Sequence, residues 1–353
     1  MRVAIVTPRF PPDPGGVEQY AAWAARTARD AGHDVLVIST GRGRRTTSTS
    51  YDGIPVVRLG TCLTVSNTPL NPLWARQLRR LVRGADVVNA HAPVPGLADL
   101  AALTSGAPVV LTYHAGSLAK GTAVDPLLRA YERLVLPRIF ARCAALVAVS
   151  PVSLAHATGR AHLVPPGVDT TRFTPGTDPR SRTVLYVGRV ERTSRWKGLH
   201  VLVDALAPLR ELAPGVRLQV VGDGDDVETL QKQAADRGVA DLVDWVGRVD
   251  HDDLPAYYRR AGVTVLPSLT ESESFGMALA EALACGCPVV GSDVGGIPFV
   301  VRDGIDGRLV PPGDPAALAT ALAGVLADPP PVADFRWGQR AAQLLRVLEE
   351  VAA

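Results

Sequence analysis

The feature that most constrains this chain is a repeated alternation of short apolar, β-branched runs with stretches of helical spacing. Residues 2–7, 35–39, 54–59, 86–90, 108–113 and 145–149 read as strands, and 17–31, 72–83, 95–105 and 124–142 carry apolar residues at helical intervals. Such alternation predicts parallel strands joined by right-handed crossover helices. A turn-rich stretch, from Pro165-Pro166-Gly167-Val168-Asp169 to Thr174-Pro175-Gly176, interrupts the pattern. The rhythm then restarts, with strands at 183–188, 216–222, 243–246, 263–267 and 288–291 between helices near 197–213, 226–238, 252–261 and 276–286. The expected architecture is α/β, with two doubly wound domains, 1–166 and 167–333, facing across a cleft. The segment 334–353 is expected to form a helix that packs back toward the N-terminal domain. Ligands of open parallel sheets bind beyond the carboxyl ends of the strands, so chemistry is sought in the residues just after them.

At 353 residues and 47% hydrophobic, the chain suits two cores better than one. It has no run of about 18 apolar residues, and Met1-Arg2 leads directly into Val3-Ala4-Ile5-Val6, which reads as a buried strand rather than a signal peptide. A cytoplasmic location is expected, with attachment to the inner face of the membrane as an option. Cys62, Cys143, Cys285 and Cys287 lack zinc-site spacing and read as reduced packing residues. The net charge of +2 conceals an asymmetry: residues 1–166 carry +9 and residues 167–353 carry −7. A basic first half suits an anionic acceptor or a membrane surface. Within it, 72–83 sets Arg76, Arg79, Arg80 and Arg83 against Leu73, Trp74, Leu78 and Leu81, a basic amphipathic pattern able to contact anionic lipid peripherally. Nothing points to nucleic acid, and the oligomeric state is not legible.

Three motifs carry chemistry. After the first strand a proline-rich loop leads to Gly15-Gly16 at a helix start, where backbone amides and the helix dipole favour a phosphate. In the second half, Val184-Leu185-Tyr186-Val187-Gly188-Arg189 delivers an arginine at a strand end, followed by Trp196-Lys197-Gly198 at the next helix start. Two cations placed there would hold a diphosphate and stabilise its charge as it leaves. The most specific motif is Ser268-Leu269-Thr270-Glu271-Ser272-Glu273-Ser274-Phe275-Gly276, followed by a small apolar helix carrying Glu281. A buried lone carboxylate costs several kcal/mol unless hydrogen-bonded, and a ribose diol would supply the bonds. Glu273 is placed to reach a sugar while the amides of Phe275 and Gly276 touch phosphate.

Taken together, these elements resemble the family 4 retaining glycosyltransferases of GT-B fold, which pair two Rossmann-like domains, over nearly the whole chain. The resemblance implies a hexosyltransferase that needs no metal or other cofactor. Its donor would be a nucleotide diphosphate sugar, with a UDP-sugar slightly favoured over GDP-mannose. Its acceptor would be a hydroxyl group of a glycan, glycolipid or natural product, with anionic and lipid-linked acceptors included. By the same resemblance Arg189 and Lys197 grip the diphosphate, Glu281 the ribose and Glu273 the sugar hydroxyls. Gly16 approaches the phosphate, Arg248-Val249 frame the base, and His114, after strand 108–113, contacts the donor sugar. Asn89, His91 and Tyr113 are acceptor-side candidates. One departure stands out: Arg189 and Lys197 are eight positions apart where the family places them about five apart, so Arg192 and Arg195 compete for the second role.

Asp223-Gly224-Asp225 imitates a metal-binding Asp-x-Asp, but its place after strand 216–222 predicts a capped turn. The dinucleotide fingerprint of a dehydrogenase is missing. A nonhydrolysing nucleotide-sugar epimerase and a catalytically silent sugar-nucleotide binder remain as rival readings.

Overall fold

The computed structural model describes residues 1–353 except 14, 66–67, 119–123, 178 and 333–339. The chain forms two compact units, the first holding Met1–Gly167 and the C-terminal helix, the second beginning at Val168. The expected boundary at 333/334 lies outside the described residues.

In the first unit the strands are β1 (Arg2–Val6), β2 (Asp34–Thr40), β3 (Thr47–Tyr51), β4 (Ile54–Leu59), β5 (Leu63–Val65), β6 (Thr68–Leu70), β7 (Val87–Ala92), β8 (Val109–Tyr113), β9 (Ala145–Ala148) and β10 (Ala161–Leu163). Its helices are α1 (Gly16–Asp30), α2 (Trp74–Leu81), α3 (Leu97–Thr104), α4 (Asp125–Leu134) and α5 (Leu136–Arg142). Eight strands form one sheet in the order β10-β9-β8-β7-β1-β2-β4-β3, parallel except for the β3–β4 pair. The predicted single helix 124–142 is two, divided at Val135. The strand β3 went unpredicted because Thr-Ser-Thr-Ser-Tyr on an exposed edge has no apolar alternation to read.

The second unit contains β11 (Thr183–Val187), β12 (Arg217–Val221), β13 (Val243–Gly247), β14 (Val263–Leu266), β15 (Val289–Ser292) and β16 (Gly307–Val310). Its helices are α6 (Leu199–Leu212), α7 (Val227–Asp236), α8 (Leu254–Arg260), α9 (Met277–Ala284), α10 (Ile297–Val300) and α11 (Pro315–Ala327). The sheet order is β13-β12-β11-β14-β15-β16, all parallel. It reverses direction of progress at β11 and β14, the place where a doubly wound sheet opens a crevice. The unpredicted α11 had a legible start: Asp314 accepts from the amides of Ala316 and Ala317, and Pro315 occupies the first turn.

The last helix, α12 (Ala341–Ala352), places Leu344, Val347 and Leu348 in the first unit's core beside Tyr20 and Ala24 of α1. No described helix is long and apolar enough to cross a membrane. Cys143, Cys285 and Cys287 are buried thiols, whereas Cys62 is exposed, contrary to its reading as a packing residue.

Candidate active site

In the second unit the chemistry-bearing residues gather around β11 and β14. Gly188-Arg189 follow β11, and a 3-10 turn, Arg192–Lys197, absorbs the extra residues before α6. That turn is pinned from β12: the amide of Arg192 donates to Asp225 Oδ1 at 2.8 Å, and Arg195 pairs with the buried Asp226 at 3.2 Å. The aspartates after β12 therefore anchor this loop and do not cap α7, whose N-terminus has no side-chain cap. The predicted capped turn is corrected accordingly. Pinning also separates the competing cations, because Arg195 is committed to Asp226 and Arg192 is exposed.

Lys197 is seated by its neighbour. Gly198 adopts φ +75°, and a Cβ there would lie 1.9 Å from the carbonyl oxygen of Pro267, so only glycine lets the turn meet the β14 loop. Leu269 seals the junction by donating its amide to Trp196 O at 2.7 Å. From this position Lys197 Nζ reaches Glu273 Oε2 at 2.8 Å and lies 4.6 Å from the Trp196 ring centre. Glu273 is 8% exposed; it also accepts from Ser268 Oγ at 3.4 Å and, through Oε1, from the Gly276 amide at 3.1 Å. That amide, assigned to phosphate from sequence, is thus held by Glu273. Phe275 is buried against Phe299. The loop bearing Glu273 is clamped from behind by Gly296, whose amide donates to Glu273 O at 2.7 Å and whose Cβ would lie 2.0 Å from Ser274 O.

Arg189 is half-buried and pairs with no carboxylate among the described residues. Beneath it Tyr186 is sealed, with its hydroxyl unpartnered among the described residues. Burial raises the Tyr186 phenol, the Glu273 charge raises it further, and Arg189 pulls the other way, so the phenol senses both ionic groups. Sequence reasoning missed Tyr186; its signal was a tyrosine in a run otherwise of aliphatic residues.

The carboxylate of Glu281 is satisfied within the protein, contrary to the expectation of a lone group: Oε1 meets His251 Nε2 at 2.9 Å and Oε2 accepts from Tyr258 at 2.9 Å. Each oxygen keeps a second lone pair for a further donor. Burial opposes the His251 imidazolium, but the Glu281 hydrogen bond and charge outweigh it and hold His251 above its ordinary value. The Asp-His-Asp-Asp cluster at 250–253 concealed this partner. Arg248 is exposed and Val249 half-buried just after β13. Among the described residues no three His, Cys, Asp or Glu side chains gather as a metal site.

In the first unit, Gly15 and Gly16 begin α1, with the Glu18 carboxylate folded against Gly15. His114, after β8, is 7% exposed, and its Nε2 lies 3.0 Å from Nδ1 of His91. Asn89, His91 and Tyr113, the acceptor-side candidates, are each 0% exposed. They lie on central parallel strands, which are buried on both faces. The amide of Asn89 donates to Val110 O and Thr112 Oγ1, and Tyr113 packs edge-on to Phe140.

Two family models match this chain, Glycosyltransferase Family 4 over residues 14–172 and Glycosyl transferases group 1 over residues 168–343. The chain belongs to the family 4 glycosyltransferases. It is an enzyme that uses a nucleotide-sugar donor. This glycosyltransferase is 32% identical to the phosphatidyl-myo-inositol mannosyltransferase of Mycolicibacterium smegmatis, over 100% of this chain and 94% of that one. It is 32% identical to the GDP-mannose-dependent alpha-(1-6)-phosphatidylinositol monomannoside mannosyltransferase of the same organism, over 98% and 97%. With the D-inositol 3-phosphate glycosyltransferase of Acidothermus cellulolyticus it shares 33% identity over 90% and 79%. Among solved structures, sucrose-phosphate synthase from Thermosynechococcus elongatus superposes with a TM-score of 0.75 at 25% identity, covering 99% of this chain and 96% of that one. Anabaena HepE in complex with UDP gives 0.73 at 22%, over 100% and 94%. The fold is GT-B.

Proposed function

We propose that this glycosyltransferase transfers mannose from GDP-mannose, with retention of configuration and without a metal ion, to a hydroxyl of an inositol that bears a phosphate ester. The observation that carries the reading is the grouping of Arg189 and Lys197 with Glu273, Ser268 and the Gly276 amide at the β11 and β14 strand ends. As the glycosidic bond lengthens, charge grows on the diphosphate, and fixed cations stabilise it more in the transition state than in the ground state. Arg189, which pairs with no carboxylate among the described residues, supplies the larger share, and Lys197 is held by Glu273 until phosphate competes for it. Arginine and lysine do here the electrostatic work of a divalent cation. Glu273 and His114 orient sugar hydroxyls, and Glu281 takes the ribose on its spare lone pairs. The acceptor attacks from the face the leaving group vacates and its proton passes to the departing phosphate oxygen, so no protein nucleophile is needed.

The donor base rests on the full-length relatives, among which a GDP-mannose-dependent enzyme stands at 32% identity. This replaces the slight preference for uridine. The UDP-bound neighbour, at 22%, supports the fold alone. The acceptor class rests on the inositol phosphate common to the relatives' names. An anionic lipid acceptor also suits α2, though not as an inserted amphipathic helix. Trp74 and Leu78 are packed in the core, leaving Arg76, Arg79, Arg80 and Arg83 as an exposed basic face beside Leu73. Contact with lipid would be chiefly electrostatic. The reading is tested by thermal denaturation with GDP, UDP, ADP and TDP, with and without EDTA. GDP should raise the melting temperature most and EDTA should change nothing; a larger rise with UDP, or a rise abolished by EDTA, would overturn the donor or the metal-free claim respectively.

A further inference from the structure

His91 and His114 share one hydrogen bond inside the first unit, between His91 Nδ1 and His114 Nε2 at 3.0 Å, and only one of these nitrogens can carry the proton. The other nitrogen of His91, Nε2, is enclosed and meets no hydrogen-bonding group among the described residues. Tyr20 stands edge-on to both rings at 5.8 and 4.9 Å, and its hydroxyl is committed to Val164 O at 3.0 Å. A proton on His91 Nε2 would leave a buried N–H with no acceptor, a costly arrangement, and would also require His114 to donate into the pair. A proton on His91 Nδ1 has an acceptor waiting in His114 Nε2. The proton of His114 must then reside on its own Nδ1, for which no described residue supplies a hydrogen-bond partner. Burial depresses both imidazoles, that of His91 to about 3, with the neighbouring ring contributing at His114, so neither charges at neutral pH.

We infer that His91 is a positioning residue that locks His114 in the Nδ1–H tautomer. His114 is thereby a hydrogen-bond donor toward a substrate oxygen and cannot take up the proton of an acceptor hydroxyl. The tautomer stands on the geometry alone, whereas the identity of that oxygen rests on the reading of His114 as a sugar contact.

The test uses the full chain labelled with 15N-histidine, in which long-range proton–nitrogen correlations report which ring nitrogen is protonated. The His114 signals, identified by their loss in His114→Asn, should show a protonated Nδ1 and a bare Nε2. A protonated Nε2 would overturn the inference whether or not the enzyme transfers mannose, so the tautomer and the functional reading fail separately. A second arm compares His91→Phe, which keeps the ring volume and cannot donate, with His91→Asn, whose amide reproduces the Nδ1 donor. His91→Phe should lower kcat/KM about tenfold, the effect of one lost hydrogen bond, with the GDP-induced melting shift unchanged. His91→Asn should recover most of the loss. Equal damage from both variants would reduce His91 to a packing residue.

Discussion

At single residues the chemistry turns on charge that no partner among the described residues cancels. Arg189 is the half-buried cation of the second unit's strand ends, and Arg189→Ala should lower kcat roughly 100-fold, corresponding to about 3 kcal/mol of transition-state charge stabilisation. Steady-state kinetics decide it, and near-normal turnover would remove the arginine from the mechanism. Glu281 gives a pH prediction through His251, which faces Glu281, Asp252 and Arg172. Because folding raises the His251 value, its contribution to stability is complete below the unfolded value of about 6.5 and fades as pH rises through the raised folded one. The melting-temperature advantage of the parent over His251→Gln should therefore be largest in mild acid and shrink with rising pH; a constant difference would mean that no imidazolium is involved. Much of this scale was legible: the strand-end rule located Arg189, and burial cost showed that Glu281 needs partners. The partners were not legible, since His251 and Tyr258 lie on different elements and only the fold brings them to one carboxylate.

At the element scale the loops matter more than the strands. Gly198 joins the 3-10 turn to the β14 loop with no room for a Cβ, so Gly198→Ala should displace Lys197. The expected outcome is a fall in melting temperature together with loss of the GDP-induced shift; a destabilised variant that still responds fully to GDP would separate Lys197 from phosphate. On α2 the basic face makes a second prediction. Replacing Arg76, Arg79, Arg80 and Arg83 by serine should abolish a salt-sensitive sedimentation with anionic vesicles while leaving transfer to a soluble inositol phosphate intact. Retained sedimentation would end the role of this face. The regular strands were readable because buried parallel strands are continuous apolar runs. The enclosure of Asn89, His91 and Tyr113 was not legible, since the end of a central strand is still inside the sheet, and the polar edge strand β3 offered no pattern at all.

At the scale of the whole molecule, two parallel α/β units divide the labour unevenly: the second carries the ionic groups around β11 and β14, and the first carries the paired histidines and the basic α2 face. The charge asymmetry of the sequence, +9 against −7, already reported part of that division. The most direct test of the central claim is to follow by proton NMR the products formed from GDP-mannose and phosphatidylinositol in vesicles with EDTA present. The account predicts a mannosylated inositol lipid whose linkage keeps the α configuration of the donor. An inverted linkage, or transfer that appears only when a divalent cation is restored, would contradict it.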